Sequence, residues 1–102
     1  MSYADVLTAD RRLCILRLVS ASPDWRVSAA PIAAALPQFG HAISHDTLTA
    51  DLFWLDEQRL IDLSEIGGLL VATGRQRGVD VANGVARHPG VRRPGPEERG
   101  TD

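Results

Sequence analysis

Ile61-Asp62-Leu63-Ser64-Glu65-Ile66-Gly67-Gly68-Leu69-Leu70-Val71-Ala72-Thr73 is the stretch that decides the fold. Two short runs of extended character flank a Gly-Gly pair, and glycine supplies the positive φ that a two-residue hairpin turn requires. The spacing predicts a β-hairpin. In simple two-residue pairing Ile66, Leu69 and Val71 share one face while Ile61, Leu63, Leu70 and Ala72 share the other, so both faces are apolar. One face packs on the core. The other is expected either beneath the helix that follows Thr73 or against a second chain, because an apolar patch left open is unusual.

Upstream of the hairpin the period is helical. Ser44 is a good N-cap, Asp46 lies in the first turn where the helix dipole favours an anion, and Leu48, Leu52 and Leu55 form a buried stripe, which predicts a helix over 44–60. A preceding helix starts at Ser28, tolerates Pro31 in its first turn, buries Ile32, Leu36 and Phe39, and ends at Pro37 and Gly40. The first helix runs from about Leu7 to Ser20, with Leu7, Leu13, Ile15, Leu16, Leu18 and Val19 reaching most of the way round the wheel. Between the first two helices, Pro23-Asp24 marks a turn. Beyond the hairpin, Thr73 and Gln76 have the spacing of a capping box for a short helix through Val79 and Ala82 that Gly84 stops. The order helix, helix, helix, hairpin, helix predicts a mainly α winged helix-turn-helix domain over residues 2–84. Residues 85–102 are rich in Pro, Gly and Arg and read as a flexible tail, and deleting residues 87–102 is expected to leave the thermal midpoint nearly unchanged.

The whole chain of 102 residues is 44% apolar and 24% charged, the balance of one globular domain too small for a deep two-lobed catalytic cleft. No apolar run is long enough to span a bilayer, and Met1-Ser2-Tyr3-Ala4-Asp5 lacks a signal peptide's basic start, so the expected location is cytoplasmic, away from membranes. The single Cys14 excludes an internal disulfide and a multi-cysteine metal cluster; it reads as a small core residue. All 11 basic residues are arginine, and the formal net charge is −2. Five arginines face nine carboxylates up to Thr73, whereas six face four from Gly74 onward, so positive charge is concentrated in the last quarter.

The sequence also resembles the small winged-helix proteins of Mu-like phages and prophages, often labelled ArsR-type regulators. The resemblance rests on Met1 to Leu7 with Asp10-Arg11-Arg12-Leu13, Phe39-Gly40-His41, Asp51-Leu52 with Trp54-Leu55 and Gln58, and Gly67-Gly68-Leu69 with Val71-Ala72-Thr73. Arg77-Gly78, Asp80-Val81-Ala82, Gly84, Pro89-Gly90-Val91 and Arg93-Pro94 complete it. It implies a phage or prophage protein that binds DNA and regulates transcription. The paired cysteines of metal-sensing ArsR members are absent, so metal sensing is not implied.

If the third helix reads bases, the contacts it offers are His45, Thr47, Thr49, Gln58 and Arg59, joined by Arg75, Arg77, Arg92 and Arg93 on phosphates. Its outward side otherwise shows Asp46, Ala50, Phe53 and Glu57, an acidic and partly apolar surface that suits a protein partner. Phe53, Ile66, Leu69 and Val71 are the candidate partner interface, with a homodimer or a phage or host protein as occupant. A continuous positive strip of Arg59, Arg75 and Arg77 would favour DNA; an acidic, apolar third-helix face would favour protein. Trp54 is expected in the core. His41 and His45 do not share a helical face, so no metal site is expected, and no cofactor motif is present. The carboxylates read as solvated surface and no nucleophile stands beside a base, so the chain is expected not to be an enzyme.

Overall fold

The computed structural model describes residues 1–99 and shows an α+β fold, mainly helical with a small antiparallel sheet. Helix α1 (Tyr3–Ala21) begins a turn earlier than its apolar spacing suggests. The Ser2 hydroxyl accepts from Asp5 N at 3.1 Å and the Asp5 carboxylate accepts from Ser2 N at 3.2 Å, a capping box that nucleates the helix before its buried stripe starts. Leu13, Ile15, Leu16 and Val19 then fill the centre of the molecule, with Cys14 buried beside them. Tyr3, Val6 and Leu7 remain exposed, so the first two turns extend past the core and Leu7 is not one of its members.

After a 3-10 turn at Pro23–Trp25 comes strand β1 (Arg26–Ser28), three residues too short to show a period in the sequence. Its pairing with a distant strand creates it. Helix α2 (Ala29–Ala35) has Ser28 at its N-cap position without a side-chain cap bond. It gives way to a 3-10 turn at Leu36–Phe39, because Pro37 has no N–H to continue the ladder. Leu36 takes the core position and Phe39, placed in the buried stripe by its spacing, is half exposed beyond the helix end.

Helix α3 (His45–Glu57) is capped as expected, the Ser44 hydroxyl accepting from Thr47 N at 3.1 Å, and it buries Leu48, Leu52 and Leu55. It stops at Glu57, short of residue 60. Arg59 adopts φ 63°, and Leu60 N donates back to Leu55 O at 3.0 Å, a left-handed helix exit in which arginine stands where glycine is usual. Strands β2 (Ile61–Ile66) and β3 (Leu69–Gly74) form the hairpin in the expected register, Leu63 opposite Ala72 and Ile66 opposite Leu69. Gly67 and Gly68 have φ 58° and 82°. Strand order is β1-β3-β2, with Val27 opposite Ala72. The face carrying Ile61 and Ala72 closes the core; Ile66 and Leu69 stay exposed.

Helix α4 (Gln76–Ala82) starts at Arg75 with no side-chain cap bond, which corrects the capping box expected of Thr73 and Gln76. Thr73 is held in β3, opposite both Arg26 and Asp62, and cannot turn back to cap a helix.

The remaining described segment, 85–99, is packed as a strap across α1 and α3 rather than a free tail. Val91 is 7% exposed, Arg92 N donates to Ala9 O at 3.1 Å, and Arg12 donates to Gly90 O at 3.2 Å. Composition misled here: a chain rich in Pro, Gly and Arg makes no regular element, yet it can be strapped down by a few long-range contacts. Residues 100–102 of the expected tail lie outside the described residues.

Candidate functional site

Between α2, the first half of α3 and the hairpin lies an open groove of about 420 Å³. Ala29, Ala30 and Ala33 of α2 form one wall, and Leu48, Phe53, Leu69 and Leu70 supply most of the apolar remainder. Alanines end at Cβ, so a docked backbone can come close to α2. Phe53 is 50% exposed and Leu69 60%, large apolar side chains left in water by this chain. His45, Thr49 and Glu65 are the polar residues of the lining. His45, Thr49 and Phe53 recur every four residues, which places them along one line of α3 facing the groove.

Of the expected partner residues, the groove therefore gathers Phe53 and Leu69. Ile66 is exposed farther along the hairpin's outer face, and Val71 is half-buried. The expected nucleic-acid contacts are dispersed. The Thr47 hydroxyl lies 3.0 Å from the Ser44 hydroxyl at the helix cap, and Gln58 Oε1 lies 3.0 Å from His88 Nε2 beneath the strap. Arg59 and Arg75 share a depression with Asp56, Glu57 and Asp62, and Arg75 Nη1 donates to Asp62 Oδ1 at 2.8 Å. Three carboxylates thus interrupt the strip Arg59–Arg75–Arg77. Arg77 is exposed on α4.

Arg92 is a strap anchor. Its Nε donates to Asp10 Oδ1 at 2.6 Å, and its terminal nitrogens donate to the two Glu98 oxygens at 3.0 and 2.8 Å. Arg92 and the Gly95 N–H hold the Glu98 carboxyl down at about 2. Asp10 loses water through burial, which favours its neutral form, but bonds from His41 and Arg92 outweigh this and lower its pKa. Trp54 packs against the core as expected, and it also receives the strap: the Arg12 guanidinium stacks 3.6 Å from its ring centre, and His88 meets it edge-on at 5.2 Å.

Arg93 belongs to a different setting. It is exposed, together with Arg77, Arg87 and Arg99, and among the described residues none of these four has a carboxylate oxygen within 4.0 Å. Loss of water, followed by the nearby charges of Arg87 and Arg99, lowers the pKa of Arg93. Burial, then Arg77 and Arg12, lowers that of His88. A second pocket opens here, lined by Val81, Ala86, Pro89 and Val91 together with Arg87 and Arg93.

Asp51 was expected at the surface but is buried in a bidentate pair with Arg11. The sequence does carry a signal for it: Asp51 falls three residues after Leu48 and four before Leu55, on the buried stripe itself. Asp10, Cys14 and His41 bring three donor atoms within 4.8 Å of one another. They do not suit a metal ion, since both Asp10 oxygens are already bonded and burial, reinforced by Asp10, keeps the thiol protonated. Among the described residues no helix is long and apolar enough to cross a membrane.

The described residues form a small α+β protein with an apolar groove beside the hairpin and an arginine-rich face on α4 and the strap. It is 41% identical over 93 residues to the uncharacterized protein gp26 of Escherichia phage Mu, covering 90% of this chain and 95% of that protein. It is also 35% identical over 78 residues, 76% of each chain, to an uncharacterized protein of Haemophilus influenzae. The chain belongs to the phage protein family of Mu gp26. No family model matches it, and no solved structure matches it.

Proposed function

We propose that this chain is a non-enzymatic winged-helix module of a Mu-like phage or prophage that acts by protein docking, and that its groove seats a second copy of the chain. The winged-helix reading is supported by three helices leading into a hairpin that β1 extends to three strands. The observation that carries the docking reading is the groove itself, where Phe53 and Leu69 are open to water at the place where a base-reading helix would present cations. Between Ser44 and Glu57 there is no arginine or lysine. The transcriptional-regulator reading therefore gains no support from α3.

The occupant is suggested by the other exposed apolar ridge. Tyr3, Val6 and Leu7 stand at i, i+3 and i+4 on the projecting start of α1 and are exposed. A helix ridge of that width suits a groove walled by alanines, and reciprocal seating of two chains gives a closed, two-fold dimer. Sedimentation equilibrium tests it. The wild type is expected to be dimeric, while Phe53→Glu and Val6→Glu, both at exposed positions, each yield folded monomers. Mixing the two variants restores part of the dimer, because one intact ridge and one intact groove remain between them. A wild type that stays monomeric up to its solubility limit overturns the assignment.

A further inference from the structure

We infer that the arginine face formed by α4 and the strap binds the phosphodiester backbone of nucleic acid without reading its bases. Arg77, Arg87, Arg93 and Arg99 are exposed there without carboxylate partners among the described residues, in a chain whose net charge is −2. Five other arginines are engaged in structure: Arg11 on Asp51, Arg12 on Trp54, Arg17 on Glu98, Arg75 on Asp62, and Arg92 on Asp10 and Glu98; Arg26 on β1 and Arg59 after α3 are exposed without a carboxylate partner among the described residues but stand singly. The contrast separates anchoring guanidiniums from available ones.

The face is also held in shape. Arg92 and Glu98 clamp the segment on either side of Arg93, Gly95 N donates to Glu98 at 2.9 Å, and the Arg99 side chain lies against Gly84 at the end of α4. A backbone held in this way keeps these side chains on one face, where each guanidinium offers paired N–H donors to phosphate oxygens. Val81, Ala86, Pro89 and Val91 line a pocket together with Arg87 and Arg93, apolar surface on which the sugar beside a bound phosphate can rest. The charge of exposed guanidiniums is met first by phosphate oxygens, and phosphate contacts carry no sequence information.

The inference does not depend on what fills the groove. Fluorescence anisotropy of the full chain with labelled random-sequence duplex DNA, titrated with NaCl, tests it. Four phosphate contacts at ~0.9 each predict a slope of log affinity against log salt of about −3 to −4. Arg87→Ala combined with Arg93→Ala should reduce that slope by roughly 2 and weaken binding at least tenfold at low salt. Arg59→Ala, on the depression shared with carboxylates, should leave both unchanged. Retention of the wild-type thermal midpoint shows that the double variant is folded. Absence of DNA binding at low salt overturns the inference, as does an unaltered slope in the double variant. Binding of polyglutamate in place of DNA also overturns it and assigns the face to an acidic protein.

Discussion

Gly78 and Gly67 are both glycines for reasons that a substitution can separate. A Cβ on Gly78 would lie 2.0 Å from the carbonyl oxygen of Leu60, an oxygen that also accepts from Arg75 N at 3.1 Å and so ties α4 to the start of β2. Gly78→Ala must push the helix off the sheet, and it is expected to cost ~3 kcal/mol in chemical denaturation. Gly67 has open space around it but φ 58°, so Gly67→Ala incurs only the left-handed backbone penalty of ~1 kcal/mol. Arg59 is the converse case. It holds φ 63° with a Cβ, and Arg59→Gly is expected to stabilise the protein by roughly 0.5–1 kcal/mol, read as a higher denaturation midpoint with an unchanged m-value.

Among the elements, the strap is where an expectation from composition and the packed structure differ most. A Cβ on Gly90 would come within 2.6 Å of the Trp54 ring, and Val91 joins the core cluster, so residues 88–92 cover apolar surface of α1 and α3. Deleting residues 87–102 is therefore expected to lower the thermal midpoint, and Val91→Ala alone to cost ~1–2 kcal/mol. The strap is also sensitive to acid. His88 has its pKa lowered below 6.5, so as pH falls through that value the unfolded chain takes up a proton that the folded chain refuses, and stability drops. Glu98, held at about 2 against an ordinary 4.5, contributes stability above 4.5 that is lost as pH falls toward 2. Two stages of weakening on acidification are expected in a plot of denaturation midpoint against pH. His88→Gln should remove the upper stage and leave the lower.

At the scale of the whole molecule, charge is divided between surfaces. The groove side is apolar, with the carboxylate of Glu65 in its lining and Asp46 in the first turn of α3, while the strap side presents guanidinium groups. Docking of apolar surface and binding to phosphates respond differently to salt, since only the second releases counterions. Phe53→Glu is expected to abolish self-association with nucleic-acid binding at low salt retained per chain. Arg87→Ala with Arg93→Ala should do the reverse, and raising NaCl should reproduce the second variant's behaviour in the wild type. Loss of both properties in either variant would show that the two surfaces act as one.

The amino-acid sequence by itself determined the helices that carry their own period and caps, α3 above all, and the hairpin, whose Gly67-Gly68 turn and two-residue alternation set its register locally. It also showed that α3 is poor in cations and that Phe53 and Leu69 are candidate interface residues. Only the tertiary structure decided the rest. Strand β1 exists because β3 offers it an edge, Thr73 stays in a strand because both neighbours pair with it, and Asp51 is buried because Arg11, forty residues away in sequence, meets it. The strap has no local preference to read. It is ordered by Val91, by Gly90 against Trp54, and by Arg92 between Asp10 and Glu98, contacts most of which form only after α1 and α3 have come together. For the same reason Arg92 and Arg93, adjacent and chemically identical in sequence, have opposite roles: one is consumed by the fold and the other faces water.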